Sequence, residues 1–206
     1  MLLLVDNSFD GQAANAREIY SAVTRIRPGL EIWLERYQNV SPEIVEGGAP
    51  THIILSGQSN PWSTYSAEAL AGVNRMIREA TIPILGICGG HQQIALAYGG
   101  KVDVMKRVAP GEGYAGCIKK RGFGDITNHG SSVFTGLPPT FSVWHSHYEE
   151  VKELPTEFET TATSAYCAIQ AMQHTSRKVA GVQFHPELFD DEHPVGAKVI
   201  ENFLSW

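Results

Sequence analysis

The run Ile82-Pro83-Ile84-Leu85-Gly86-Ile87-Cys88-Gly89-Gly90 joins a short apolar segment to a helical one. Residues 82–86 have the length of a buried strand that ends at Cys88, and residues 89–98 return as a helix stopped by Gly99-Gly100. Glycines two positions either side of Cys88 let strand and helix approach closely while the central side chain is held up on a strained turn. The helix start aims its free N–H groups and positive dipole end at the sulfur, which favours thiolate, and the N–H of Gly89 is placed as an oxyanion donor. Cys88 therefore reads as a nucleophile. For an isolated cysteine a buried structural role is the default, but the strand–turn–helix context reverses that preference.

Working outward, the same alternation repeats. Residues 2–5 form a strand candidate, and residues 13–26 a helix in which Ala16, Ile19, Tyr20, Val23 and Ile26 recur at helical spacing. Residues 30–34 and 52–55 are further strands, and residues 67–79 a helix with Leu70, Val73, Met76 and Ile77 on one face. This alternation predicts an α/β fold with an open, mostly parallel sheet flanked by helices on both faces. Beyond residue 100 the character becomes β-rich, with candidate strands at 102–104, 116–119, 141–144, 158–162, 167–172 and 179–184, then a terminal helix at 195–206. No repeat or linker interrupts the chain, so residues 1–206 are read as one domain.

Composition narrows the function. The 206 residues carry 22 acidic and 16 basic side chains, a formal charge of −6. No basic run exceeds Lys119-Lys120-Arg121, which leaves no electrostatic footprint for nucleic acid. Met1 to Val5 meets Asp6 at once, and no run of about 18 apolar residues occurs, so no membrane segment is expected and the chain reads as cytoplasmic. The three cysteines, at 88, 117 and 167, form neither a CxxC nor an even set, which suits a reducing compartment. Cys117 and Cys167 lie in apolar stretches and read as core. His145 and His147 are too few for a metal site, and the glycine-rich stretches lack a phosphate-binding pattern, so no metal or cofactor is expected.

A cysteine nucleophile wants an imidazole, and eight histidines compete. His185 stands out in Gly181-Val182-Gln183-Phe184-His185-Pro186-Glu187, at the end of a strand-like run. Pro186 pushes His185 toward extended geometry, where residues two apart face the same side. Glu187 is then placed to hold the ring. The expected relay is attack by Cys88, proton transfer by His185, and orientation by Glu187.

Gly86-Ile87-Cys88-Gly89-Gly90-His91-Gln92 resembles the G-[aliphatic]-C-x-G-x-Q nucleophile motif of class I, triad-type glutamine amidotransferases, and His185-Pro186-Glu187 resembles their H-P-E. The likeness covers essentially the whole chain. Within the family it is most similar to the glutaminase part of GMP synthase, through Glu112-Gly113-Tyr114, Trp144-His145-Ser146-His147 and the run from Cys167 to Glu187. The resemblance implies a flavodoxin-like fold and hydrolysis of the glutamine side-chain amide through a γ-glutamyl thioester on Cys88, without a cofactor. It also implies ammonia passed to a separate synthase chain. By motif position Gln92 contacts the substrate, and the backbone of Ser146 and His147 holds its amino-acid end.

One departure stands out. Where the family has S-G-G-P, supplying a second oxyanion N–H, this chain reads Ser56-Gly57-Gln58-Ser59-Asn60-Pro61-Trp62. Gly57 and Gln58 are the expected donors' segment, but if that position requires positive φ a side chain costs about 1–2 kcal/mol. A lost donor costs about 2.7–4 kcal/mol of barrier. The altered loop and bulky Trp62 motivate a second reading, a stand-alone cysteine hydrolase of γ-glutamyl amides or conjugates. A non-catalytic binding relative is a third, opposed by the intact triad.

Overall fold

Leu2–Asp6 (β1) is buried along its whole length because the sheet it belongs to is covered on both faces. Leu2 and Leu4 enter one core with Ala16, Ile19, Val23, Ile54, Val199 and Phe203. Leu3 and Val5 point the other way, into a second core with Ile53, Leu55, Val73, Met76 and Ile94. The two-residue period of a strand thus feeds both layers. The computed structural model describes residues 1–109, 111–114 and 116–206.

Parallel strands form one half of the sheet: β1, Ile32–Arg36 (β2), His52–Leu55 (β3), Ile84–Ile87 (β4) and Val179–Val182 (β11). Lys120–Asn128 (β6), Thr140–His147 (β7), Phe158–Ser164 (β9) and Cys167–His174 (β10) continue it in antiparallel fashion, giving nine strands in the order β2-β1-β3-β4-β11-β10-β9-β6-β7. Lys101–Val104 (β5) pairs with Glu149–Glu153 (β8) in a separate two-stranded sheet. The helices are Ala14–Ile26 (α1), Pro42–Gly48 (α2), Ala67–Glu79 (α3), Gly89–Ala97 (α4) and Val195–Phe203 (α5). The expectation of an α/β sheet between helical layers is met, with the antiparallel extension making up the β-rich second half.

Most differences from the sequence reading have local causes. The strand expected at 116–119 is not formed: Cys117 makes only isolated bridges to Arg107 and Tyr114, and the continuous strand starts at Lys120. Its half-exposed, glycine-containing sequence carries no apolar run. The strand expected at 30–34 lies at Ile32–Arg36 instead, because Gly29 at positive φ and the turn after α1 occupy the preceding residues. Helix α2 is an addition to the sequence reading, although Ser41 caps Ile44 N–H and Pro42 begins the helix, a recognisable start signal. No helix among the described residues is long and apolar enough to cross a membrane.

Candidate active site

Cys88 sits between β4 and α4 with φ 52° and ψ −103°, a conformation that side chains avoid and that costs on the order of 1–3 kcal/mol. The surroundings hold it there. Its N–H donates to Val182 O at 2.8 Å, tying the turn to β11. A Cβ on Gly86 would lie 2.4 Å from the Gly90 carbonyl carbon, and one on Gly90 would lie 2.3 Å from Leu55 O. Glycine is therefore required at both flanks by close approach of backbones, as the sequence spacing suggested.

Strand β11 lies next to β4 in register, Gly181 beside Gly86 and Val182 beside Ile87, and so delivers His185 to the same sheet edge. His185 N–H donates to Trp144 O at 2.8 Å, which fixes the residue from the β7 side. Its Nδ1 lies 2.7 Å from Glu187 Oε1, with both side chains buried. The pair meets for a different reason from the one expected: Pro186–Leu188 is a short 3₁₀ turn, not an extended segment, and the turn brings Glu187 back under the ring. Burial alone would push the His185 pKa down, but the Glu187 carboxylate and the Cys88 sulfur outweigh it and hold the imidazole well above its ordinary value. The three groups form one constellation.

The altered loop reaches the nucleophile without strain. A Cβ on Gly89 would lie 2.7 Å from Gln58 N, and one on Gly57 3.5 Å from Cys88 Cβ. Among the described residues the non-glycine positive φ values belong to Ala13, Ala49 and Cys88, so Gln58 does not occupy a glycine conformation. The steric cost feared from the sequence is absent. Ser56 anchors the loop, with its Oγ accepting from Asn7 N–H and its carbonyl from the Asn7 amide.

A cavity of about 140 Å³ opens onto Cys88 and His185 and is lined also by Gln58, Gln92, Ser146 and His147, while Gly57 and Gly89, the other expected oxyanion donors, are not among its lining residues. His145 and His147 are buried, with pKa values lowered to about 4 and about 3, chiefly by burial. They are neutral in the working range, which agrees with packing roles for the rings. Cys117 and Cys167 are buried and do not line this cavity, and burial with the nearby Glu150 pushes the Cys167 thiol up.

Comparison with known proteins places this geometry. Residues 10–205 match the family described as Glutamine amidotransferase class-I. The chain is a class I glutamine amidotransferase. The amidotransferase is 39% identical over 171 residues to the glutamine-hydrolysing GMP synthase subunit of Methanothermobacter thermautotrophicus, covering 82% of this chain and 86% of that one. Identity to the protein of the same name from Methanobrevibacter smithii is 38% over 164 residues, 80% and 77% of the two chains. The crystal structure of a candidate GMP synthase subunit from Thermoplasma acidophilum superposes with a TM-score of 0.80 at 25% identity, over 99% of this chain and 92% of that one. A Thermotoga maritima glutamine amidotransferase shares the fold at a TM-score of 0.70 and 17% identity, over 99% and 80% of the chains.

Sequence reading of the amidotransferase missed the roles of several polar groups in and beside this cavity. Gln183 Nε2 points at Cys88 Sγ from 3.7 Å, and Gln183 Oε1 accepts from Gln92 Nε2 at 3.0 Å. Trp62 Nε1 donates to Gln92 Oε1 at 2.8 Å. Trp62 thus braces a motif residue, where the sequence suggested a reshaped pocket rim. Asn15, at the start of α1, joins the cavity lining. Gln183 was within reach of sequence reasoning, since it lies two residues before His185 in the same strand-end run; the Trp62 contact spans 30 positions and leaves no local mark.

Proposed function

We propose that this amidotransferase hydrolyses the side-chain amide of glutamine with Cys88 as nucleophile and hands the ammonia to a separate synthase chain, as the glutamine-hydrolysing component of a two-chain GMP synthase. The observation that carries the catalytic part is the buried His185–Glu187 pair beside Cys88 on adjoining parallel strands. The relatives named as glutamine-hydrolysing GMP synthase subunits support the division of labour between chains.

In this reading the Cys88 thiolate attacks the amide carbon, and the N–H groups of Gly89 and Gln58 receive the developing oxyanion. Protonated His185 gives its proton to the departing nitrogen as the C–N bond breaks, releasing ammonia and leaving the γ-glutamyl thioester. Neutral His185 then takes a proton from water as its oxygen attacks the thioester. Collapse expels the Cys88 thiolate and frees glutamate. Glu187 holds the Nδ1 proton throughout, fixing which nitrogen of His185 does the work. The reaction needs no cofactor, and the cytoplasm is the compartment that suits the free thiol. The bond from Trp62 to Gln92 supports the glutamine reading, because it holds a residue of the family's nucleophile motif in place beside the cavity.

A diazo-ketone analogue of glutamine is the test. It is expected to label Cys88 in the wild-type chain and nothing in Cys88→Ala, and addition of the synthase chain is expected to raise ammonia release from glutamine. Labelling at another residue, or equal labelling of Cys88→Ala, would refute the assignment.

A further inference from the structure

The Gln58 N–H belongs to the Gly57–Gln58 peptide unit, and that unit is gripped from its carbonyl side. Ser56 Oγ donates to Gly57 O at 3.0 Å, and the same hydroxyl oxygen accepts from Asn7 N–H at 3.0 Å. Asn7 is itself tied to three elements. Its Nδ2 donates to Ser56 O after β3 and to Gln93 Oε1 on α4, each at 2.9 Å, and its carbonyl accepts from the Tyr65 hydroxyl at 2.7 Å. Asn7, Ser56 and Gln93 are buried, where such bonds are strong and a missing partner is costly.

The bond to the carbonyl decides where the N–H goes. Among the described residues no peptide bond is cis, and in a trans peptide the C=O and N–H point in opposite directions. With Gly57 O turned to Ser56, the Gln58 N–H faces the other side, where a Cβ on Gly89 would lie 2.7 Å from Gln58 N. Among the described residues no backbone carbonyl accepts that N–H. It stands unused beside the first turn of α4, whose own leading N–H groups have no partner within the helix.

The residue at 58 opposes the reverse orientation. Type I and type II turns differ by reversal of one peptide unit, which carries the following residue from negative to positive φ. Gln58 has a Cβ and does not lie at positive φ, so reversal meets a steric penalty that glycine would escape. Hydroxyl and side chain therefore act in the same sense, one on each end of the peptide.

We propose that Ser56 is a positioning residue for the oxyanion site: its hydroxyl, held by Asn7 N–H, grips the Gly57 carbonyl and keeps the Gln58 N–H presented beside Gly89, while the Cβ at position 58 bars the reversed peptide. This goes beyond the glutaminase reading and rests on it.

The test sets kcat and KM for glutamine, measured with the synthase chain present, against the rate at which iodoacetamide alkylates Cys88. Alkylation is a displacement at a saturated carbon and develops no oxyanion. Ser56→Ala is expected to lower kcat about tenfold or more, toward the roughly hundredfold that loss of one oxyanion donor costs, with KM and the alkylation rate within about threefold. Ser56→Thr, which keeps the hydroxyl, should recover part of the lost kcat. Should Ser56→Ala not fold, the partly exposed position 58 carries the comparison: kcat should fall about fivefold or more further in Gln58→Gly than in Gln58→Ala, since a single methyl group already disfavours positive φ. An unchanged kcat in Ser56→Ala, a kcat that falls only in step with alkylation, or equal kcat in the two variants at position 58 would overturn the proposal while leaving the glutaminase reading intact. Absence of glutamine turnover and of Cys88 labelling in the wild type would overturn both.

Discussion

At the residue scale, the sulfur of Cys88 is served by more than its imidazole. Gln183 is fully buried, and its orientation is set by Gln92, whose N–H occupies the Gln183 carbonyl and leaves the Gln183 N–H facing Cys88. A donor aimed at sulfur stabilises the charge that attacks, and low local dielectric strengthens the effect. Gln183→Met keeps the shape but removes donor and acceptor together. It should slow alkylation of Cys88 by iodoacetamide several-fold and cost about 1–3 kcal/mol of stability, because a Gln92 hydrogen is left buried and unbonded. Gln183→Glu restores an acceptor for Gln92 but sets negative charge against the sulfur. It should slow alkylation further while losing less stability, and an alkylation rate equal to wild type in both variants would show that the contact does nothing.

At the scale of elements, the β4–Cys88–α4 bend was legible because two signals coincide within nine residues: an apolar run of strand length, and glycines where backbones must touch. His185 and Glu187 were legible as a pair, although the 3₁₀ turn that joins them was not, since Pro186 permits both an extended and a turning path. Strands β6 and β8 escaped because their faces are only partly buried; Glu149–Glu153 reads Glu-Glu-Val-Lys-Glu and buries only Glu150 and Val151. Close approach and helix propensity can be separated here by two alanine substitutions. In Gly90→Ala the new methyl meets Leu55 O at 2.3 Å, so overpacking should lower stability by about 1–3 kcal/mol or more. In Gly47→Ala, within α2, nothing lies within 4 Å and φ is not positive, so stability should rise by about 0.4–1 kcal/mol. Denaturant titration of both variants checks the pair of signs.

For the whole molecule, buried histidines set the response to acid. Burial lowers His91 and His145 to about 4 and His147 to about 3, against 6.5 for the free group. Below pH 6.5 the unfolded chain binds protons at these three positions that the folded one refuses, so their contribution to stability is full above that value and is lost as pH falls toward 4. Each such group contributes a slope of about 1.4 kcal/mol per pH unit inside its window. Glu149, raised from 4.5 to about 6, acts in the opposite sense between those values and offsets one histidine there. Urea titrations from pH 7 to pH 4.5 should show a net fall of a few kcal/mol, and a flat profile would contradict it. The sequence singles out His185 but does not show that His91, His145 and His147 are buried, which a sheet nine strands wide decides. That same sheet carries nucleophile and base at the ends of hydrogen-bonded neighbours, β4 and β11. Warming cannot part the two without unzipping the centre of the protein, so turnover should disappear on heating only when the fold itself does, with no interval in which an intact but idle enzyme persists.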